Sequence, residues 1–385
     1  MADFADHYRE IYMLGLSGQT PAVPVSIAEL ERRAIAAMEP KAANYVGAGA
    51  GSEDTIRANA EAFRRHRIVP RMLRDVSRRD LATTVLGTAM PAPLMLAPIG
   101  VQAVLHEEGE LATARAAAAV GTPMIASTAS HFSLEEIAVA GGEAPRWFQL
   151  YWANDRDLVE SFVGRAERAG YGAIVVTVDT FIPGWKPRDL QQAWLPFLNG
   201  MGVANYFQDP VFRAGLERTP EEDQGAATGH FLGVQANPAL SWDDLAWLRE
   251  RTSLPIVLKG IQHADDAREA ARRGVDGIVV SNHGGRQVDG AIASLDALPP
   301  IAAAVGGELA ILFDSGVRGG ADVLKALALG ADAVCLGRPY LWGLALDGQA
   351  GVEAVLKMVL GELDLTMALC GLTRPDQLGP DCLAA

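Results

Sequence analysis

From Pro91 onward the chain repeats one pattern eight times: a short apolar run, a polar or glycine-rich end, then an amphipathic stretch. The runs are PLMLAPIG, PMIAST, WFQLY, GAIVVTVD, PIVLKG, DGIVVSN, LAILFDSG and DAVCLG. They are rich in β-branched residues and lack polar alternation, which is how strands buried on both faces read. The stretches between them carry helical spacing. In residues 263–273, Ala264, Ala267 and Ala271 share a face, Asp265 and Asp266 suit the start, Arg272 and Arg273 the end, and Gly274 a cap. Residues 155–170 repeat the plan with Leu158, Phe162 and Ala166. Eight strand-like runs, nearly all followed by helices, predict a closed parallel (β/α)8 TIM barrel. An open doubly wound sheet is the alternative, but no GxGxxG follows any of the strands.

Two regions break the rhythm. Residues 1–90 predict a mostly helical N-terminal extension ahead of a barrel domain over 91–385. Residues 191–240 form a long insertion after the fourth strand, on the side of a barrel where active sites lie. A lid is expected there, with a subunit contact as the alternative.

At 385 residues the chain exceeds the ~250 of a minimal barrel, which leaves room for both additions. The net charge of −14 argues against nucleic acid and anionic membranes as partners. An anionic substrate would need a local positive site. The three cysteines, Cys335, Cys370 and Cys382, show no zinc or disulfide spacing, so no metal is expected. No apolar run approaches the ~18 residues of a membrane span, and the polar N-terminus lacks a signal-peptide pattern. A cytoplasmic location is the expectation.

The strand ends concentrate polarity: Ser127 and Thr128, Gln149 and Tyr151, Thr177 and Asp179, Lys259, Ser281 to Arg286, Asp314 to Arg318, and Gly337 with Arg338. FDSGVRGG and GRPY follow the last two strands and each opens a helix. Small residues there let backbone N–H groups approach an anion, and Arg318 and Arg338 add charge; this suits a phosphate, or else the glycines only permit tight turns. In SNHGGRQVDG, His283 suits proton abstraction near neutral pH and Arg286 suits a two-pronged grip on a carboxylate. A structural histidine is the alternative. Lys259 ends a buried run, to stabilise negative charge or to form a salt bridge. Asp179 would orient a histidine, or cap a helix.

With these motifs in view, SNHGGRQ, LMLAPIGVQ, FQLYW, VVTVDT, SLPIVLKG, FDSGVRGG and KALALGADAV…GRP resemble the FMN-dependent L-2-hydroxy acid oxidase family over nearly the whole chain. EIYMLGLSG, GWKPRDL and NYFQDPVF look most like its lactate 2-monooxygenase members. The resemblance implies FMN as cofactor and a small 2-hydroxy acid with O2 as substrates. It also implies a homotetramer or octamer. It implies that Ala97, Pro98 and Gly100 lie against the flavin ring, and that Ser127, Gln149, Thr177 and Lys259 bind it. Asp314 would hold the ribityl chain, within the Ser281 and Asp314–Ser315–Gly316 loops, and Arg318, Gly337 and Arg338 the phosphate. His283 would be the base, oriented by Asp179; Tyr151 would meet the substrate hydroxyl; Tyr45 and Arg286 would bind its carboxylate.

Two positions bear on the finer reading. Gly100 is glycine as in lactate 2-monooxygenase-like sequences, where simple oxidases tend to carry alanine. The missing methyl would leave space for pyruvate to stay while O2 reacts, giving acetate, CO2 and water; the alternative is a backbone accommodation. The family's insertion arginine for the carboxylate falls at Lys186 by ungapped match, with Arg188 two residues on. Arg188 is the expected choice, because lysine lacks the planar fork. The reading is thus a lactate 2-monooxygenase. An oxidase releasing a 2-oxo acid and peroxide is the main alternative. Other FMN or phosphate barrels, such as type 2 isopentenyl diphosphate isomerase or inosine monophosphate dehydrogenase, or a non-catalytic barrel, are more distant.

Overall fold

The structure, a computed structural model, describes residues 4–384. Eight parallel strands close into a barrel: Leu94–Leu96 (β1), Met124–Ser127 (β2), Arg146–Tyr151 (β3), Ile174–Thr177 (β4), Ile256–Ile261 (β5), Gly277–Val280 (β6), Ala310–Phe313 (β7) and Ala333–Leu336 (β8). They follow one another around the ring in chain order, and β8 pairs with β1 to close it. All eight apolar runs read from the sequence are these strands, and the (β/α)8 fold is the one expected.

The barrel is filled rather than hollow. Side-chain alternation turns Met95, Ile125, Trp147, Val175, Val257, Val279, Leu312 and Cys335 into the lumen, where they form a core cluster separate from the outer one. The outer cluster lies between strands and helices, with Phe148, Ile174, Leu258, Ile278 and Phe313 facing it. Helices such as Arg156–Arg168 and Ala264–Arg272 supply its other side. The second of these is capped by the His263 side chain, which accepts from Asp265 N, and ends at Gly274 in the left-handed region.

The chain before β1 carries helices Asp6–Leu16, Ile27–Ala37, Pro40–Gly47 and Asp54–Arg65. It also carries a hairpin, Thr83–Val85 with Thr88–Met90, which the helical expectation did not include. Val85 and Met90 join the lumen cluster, and Trp147 Nε1 donates to Thr88 Oγ1 at 2.8 Å, so the hairpin closes the barrel floor. At the other end, helices 40–47 and 54–65 lie beside the β6 loop. Much of the insertion is packed down. Val203, Tyr206, Phe212 and Phe231 are buried, and Asn205 bonds to Leu134 N and Thr128 O. Near the mouth, Gly184 just ahead of the insertion meets the β6 loop, and Trp194 at its start meets Tyr45 edge-on.

Candidate active site

The site grows out of the lumen by one more step of the strand period. Two residues beyond each apolar lumen residue stand Ala97, Ser127, Gln149, Thr177, Lys259, Ser281, Asp314 and Gly337. Pairing aligns them, with Ser127 beside Gln149 and Thr177 beside Lys259. Ser127 Oγ donates to Gln149 Oε1 at 3.0 Å, and Gln149 Nε2 to Thr177 Oγ1 at 3.0 Å. Lys259 Nζ donates to Ser281 Oγ at 3.1 Å and lies 3.3 Å from Asp314 Oδ2. Asp314 also accepts from Ser315 Oγ at 2.7 Å. Lys259 is 4 % exposed. Burial opposes its charge, but Asp314 and Asp179 more than offset this and hold its pKa above the usual value. The ammonium is therefore a fixed positive charge at the lumen's polar end.

A further step of two past Thr177 places Asp179 over this layer, and the β6 loop brings His283 to it. His283 Nδ1 lies 2.8 Å from Asp179 Oδ1. Thr180 Oγ1 donates to the same oxygen at 2.9 Å and lies 3.2 Å from Nδ1. Burial depresses the His283 pKa, and Lys259 and Arg286 add to this against the pull of Asp179. Burial would raise the Asp179 carboxyl, yet His283, Lys259 and its hydrogen bonds hold it at about 2. The pair is thus a neutral imidazole on an ionised carboxylate, with Nδ1–H donating and Nε2 left as the basic atom. Gly260 makes the geometry possible. It sits at a bulge in β5 with φ of 115°, and a Cβ there would fall 2.7 Å from Asp179 Cβ.

Cations stand near this pair. Arg286 Nη1 donates to Tyr45 O at 2.8 Å and Ala48 O at 2.7 Å, and its guanidinium lies 5.5 Å from the Tyr45 ring centroid. Burial raises the pKa of Tyr151 and of Tyr45, so both phenols stay protonated donors. The expected choice of Arg188 is not what the fold selects. Arg188 is half-exposed and paired with Glu53. Lys186 is the inner cation: burial and the charge of Arg286 depress its pKa, and Nζ donates to Gly184 O at 3.2 Å. The backbone explains this. A Cβ on Gly184 would fall 2.5 Å from Arg286 O, so the loop is pressed onto the β6 loop just before Lys186.

Gly100 also differs from expectation. A Cβ there would fall 2.3 Å from Ala129 O, so the glycine lets the β1 loop cross the β2 loop. A methyl there would point into that neighbouring backbone, an observation on the side of the accommodation alternative. Pro98 follows Ala97, whose carbonyl accepts from Tyr340 OH at 3.0 Å.

At the far end, Gly337 caps the helix that opens with Arg338. Gly316, with φ of 93°, packs against Asn59. Arg318 and Arg338 line a cavity of about 50 Å³ with Trp342, Val46 and Gly47. Arg338 donates to Val46 O at 3.1 Å and Gly284 O at 3.1 Å. Burial, with Arg286 and Arg318 nearby, brings its pKa down to about 9. Crowded buried guanidiniums beside a helix N-terminus fit a phosphate dianion, and the polar lumen layer fits the hydrogen-bonding ring of FMN.

Three residues carry weight that sequence reasoning missed. Thr180 bridges the Asp179–His283 pair. Asp189 lies among the cations. Glu110, fully buried, accepts from Gln102 N at 3.0 Å and His131 N at 3.3 Å, tying the β1 and β2 loops together. An acid inside the alanine-rich GELATARAAAAV was the one visible signal for Glu110. Among the described residues no cluster suits a metal ion, and no helix is long and apolar enough to cross a membrane.

Comparison with known proteins agrees with this geometry. The family model of the FMN-dependent dehydrogenases matches residues 34–385. An L-lactate oxidase of Lysinibacillus sphaericus is 46% identical, covering 96% of this chain and 95% of its own. Human 2-hydroxyacid oxidase 1 is 44% identical, over 90% of this chain and 93% of its own. The crystal structure of mandelate oxidase superposes with a TM-score of 0.83 at 39% identity, covering 94% of this chain and 98% of that one. The chain belongs to the FMN-dependent dehydrogenase family, the flavoenzymes that oxidise 2-hydroxy acids.

Proposed function

We propose that this FMN-dependent 2-hydroxy acid oxidoreductase acts on L-lactate with O2 and releases pyruvate and hydrogen peroxide. The observation that supports the reading is the His283–Asp179 pair at 2.8 Å, with Arg286 three residues on in the same loop and close enough to act on the imidazole. Arg286, Lys186 and the Tyr45 hydroxyl bind the carboxylate, which fixes the α-carbon and its hydroxyl. Tyr151 donates to or accepts from that hydroxyl. His283 Nε2 removes a proton from the substrate, and Asp179 stabilises the imidazolium that results. Bound FMN supplies the two-electron acceptor. Lys259 holds a positive charge where negative charge develops during the reaction. Arg318, Arg338 and the helix N-terminus after Gly337 would hold the phosphate of bound FMN, and Asp314 would take its ribityl chain.

The second reading, a lactate 2-monooxygenase, draws on GWKPRDL, NYFQDPVF and Gly100. Its spatial argument weakens because Gly100 is accounted for by the Ala129 carbonyl. Measuring peroxide and acetate from lactate and O2 decides: stoichiometric peroxide supports the oxidase, and acetate in its place establishes the monooxygenase. Anaerobic addition of L-lactate to the yellow protein tests the common part, since an unbleached protein rules out lactate. His283→Asn should lower the rate roughly 10²–10⁴-fold with FMN still bound. A near-native rate in that variant takes His283 out of the base role.

A further inference from the structure

One acid stands inside the cationic wall, and the chemistry above does not use it. Asp189 lies in the short helix Pro187–Gln191, which packs against Pro40–Gly47, the helix that carries Tyr45. Three contacts hold this stretch in place: Gly51 N donates to Trp185 O at 2.9 Å, Gly184 N donates to Gln287 Oε1 at 3.1 Å, and Trp194 meets Tyr45 edge-on at 6.0 Å. These contacts tie the loop to the β6 loop and to the Tyr45 helix, and they place Asp189 between them. Asp189 Oδ2 is buried and has no hydrogen-bond partner. The charged groups facing it are Arg286 from the β6 loop and Lys186 and Arg188 from its own segment; Tyr45 faces it from helix 40–47. Arg188 is paired with Glu53, and Asp189 makes no ion pair of its own with Arg286 or Lys186, so those two cations act on it through their field.

We propose that Asp189 sets the strength and pH range of substrate binding: its buried, unpartnered carboxylate lies in the field of Arg286 and Lys186 without bonding to either, and when an arriving carboxylate binds those cations Asp189 accepts a proton from solvent. The inference rests on the carboxylate site assigned above. Its physical basis is that two carboxylates sharing one cationic site cannot both stay ionised without cost. Burial already raises the Asp189 pKa even against the three cations, and a second anion raises it further. Binding of a 2-hydroxy acid then takes up a proton and weakens as pH rises. A second consequence concerns substrate class. A resident negative charge beside the site disfavours dicarboxylates and selects monocarboxylates with neutral side chains.

The test uses the purified FMN-loaded protein and acetate, an unreactive monocarboxylate, so that binding is read without turnover. Calorimetry from about pH 5 to about pH 8, in two buffers of different ionisation enthalpy, gives affinity and proton uptake together. The native protein should lose affinity as pH rises and take up a fraction of a proton. Asp189→Asn should bind acetate more tightly, roughly tenfold at the alkaline end, and lose that uptake. His283 and Lys186 also titrate near the bound anion, so the variant, rather than the slope alone, assigns the proton. Asp189→Ser serves as a second variant should the first fold poorly, with flavin absorbance reporting loading. Weaker binding in both variants at every pH, or native proton uptake retained in them, overturns the proposal. If Arg286→Lys leaves acetate affinity unchanged, the carboxylate site itself is misassigned and both readings fall.

Discussion

Gly260 decides whether the acid-base pair can form. Its φ of 115° is open to glycine, and any Cβ would meet the Asp179 side chain within 3 Å. Gly260→Ala should therefore cost on the order of 1–3 kcal/mol from backbone strain alone. It should also move Asp179 away from His283, lowering kcat/KM and altering its pH profile while FMN stays bound. A native Tm with a native pH profile would show that the bulge has no such part. The same scale shows where sequence reasoning stops. His283, Arg286, Asp179 and Lys259 were legible because each ends an apolar run with a residue type whose chemistry is distinctive. Arg188 and Lys186, two positions apart, were separated by type alone, in favour of Arg188, and type does not say which of them turns inward. Glu53 and the approach of Gly184 to Arg286 choose between them, and both are distant in sequence.

Strands and helices were legible as elements because burial imposes a period. A strand turning alternate residues inward must place polar atoms in the lumen once the run turns polar, and Ser127, Gln149, Thr177, Lys259 and Asp314 follow. Loops lack such a period. The crossing of the β1 and β2 loops rests on Glu110, whose Oε1 accepts from both and whose Oε2 is buried without a partner. Burial pushes the Glu110 pKa up from 4.5 to about 7, although backbone hydrogen bonds oppose it. The folded protein thus binds this proton more tightly than the unfolded chain, and stability falls as pH rises between those two values. The loss is on the order of 3 kcal/mol by pH 8. Glu110→Gln should lack that slope, so its Tm relative to the native protein should improve from pH 5 to pH 8. Parallel Tm curves for the two proteins would mean that Glu110 does not titrate in this window.

The whole molecule ties its functional end to segments far apart in the chain. Arg286 and Arg338 donate to carbonyls of Tyr45, Val46 and Ala48, so the N-terminal helices complete the wall around the end proposed for the phosphate. Buried guanidiniums held mainly by carbonyls are a cost that a bound dianion offsets. Adding FMN to apoprotein at about 100-fold its Kd should stabilise the fold by about 2.7 kcal/mol, raising Tm by roughly 3–6 °C. Arg318→Met with Arg338→Met should remove most of this rise. An equal shift in that double variant would place the phosphate elsewhere.

The amino-acid sequence by itself determined the barrel, its eight strands and the ring of polar strand ends, since each follows from local patterning of buried and polar residues. Packing alone decided which cation turns inward, why Gly100 is glycine, how a hairpin stoppers the floor and where Asp189 and Glu110 sit. Those outcomes depend on contacts between segments tens to hundreds of residues apart. No local period or residue type encodes such distances; they exist only once the chain has closed on itself.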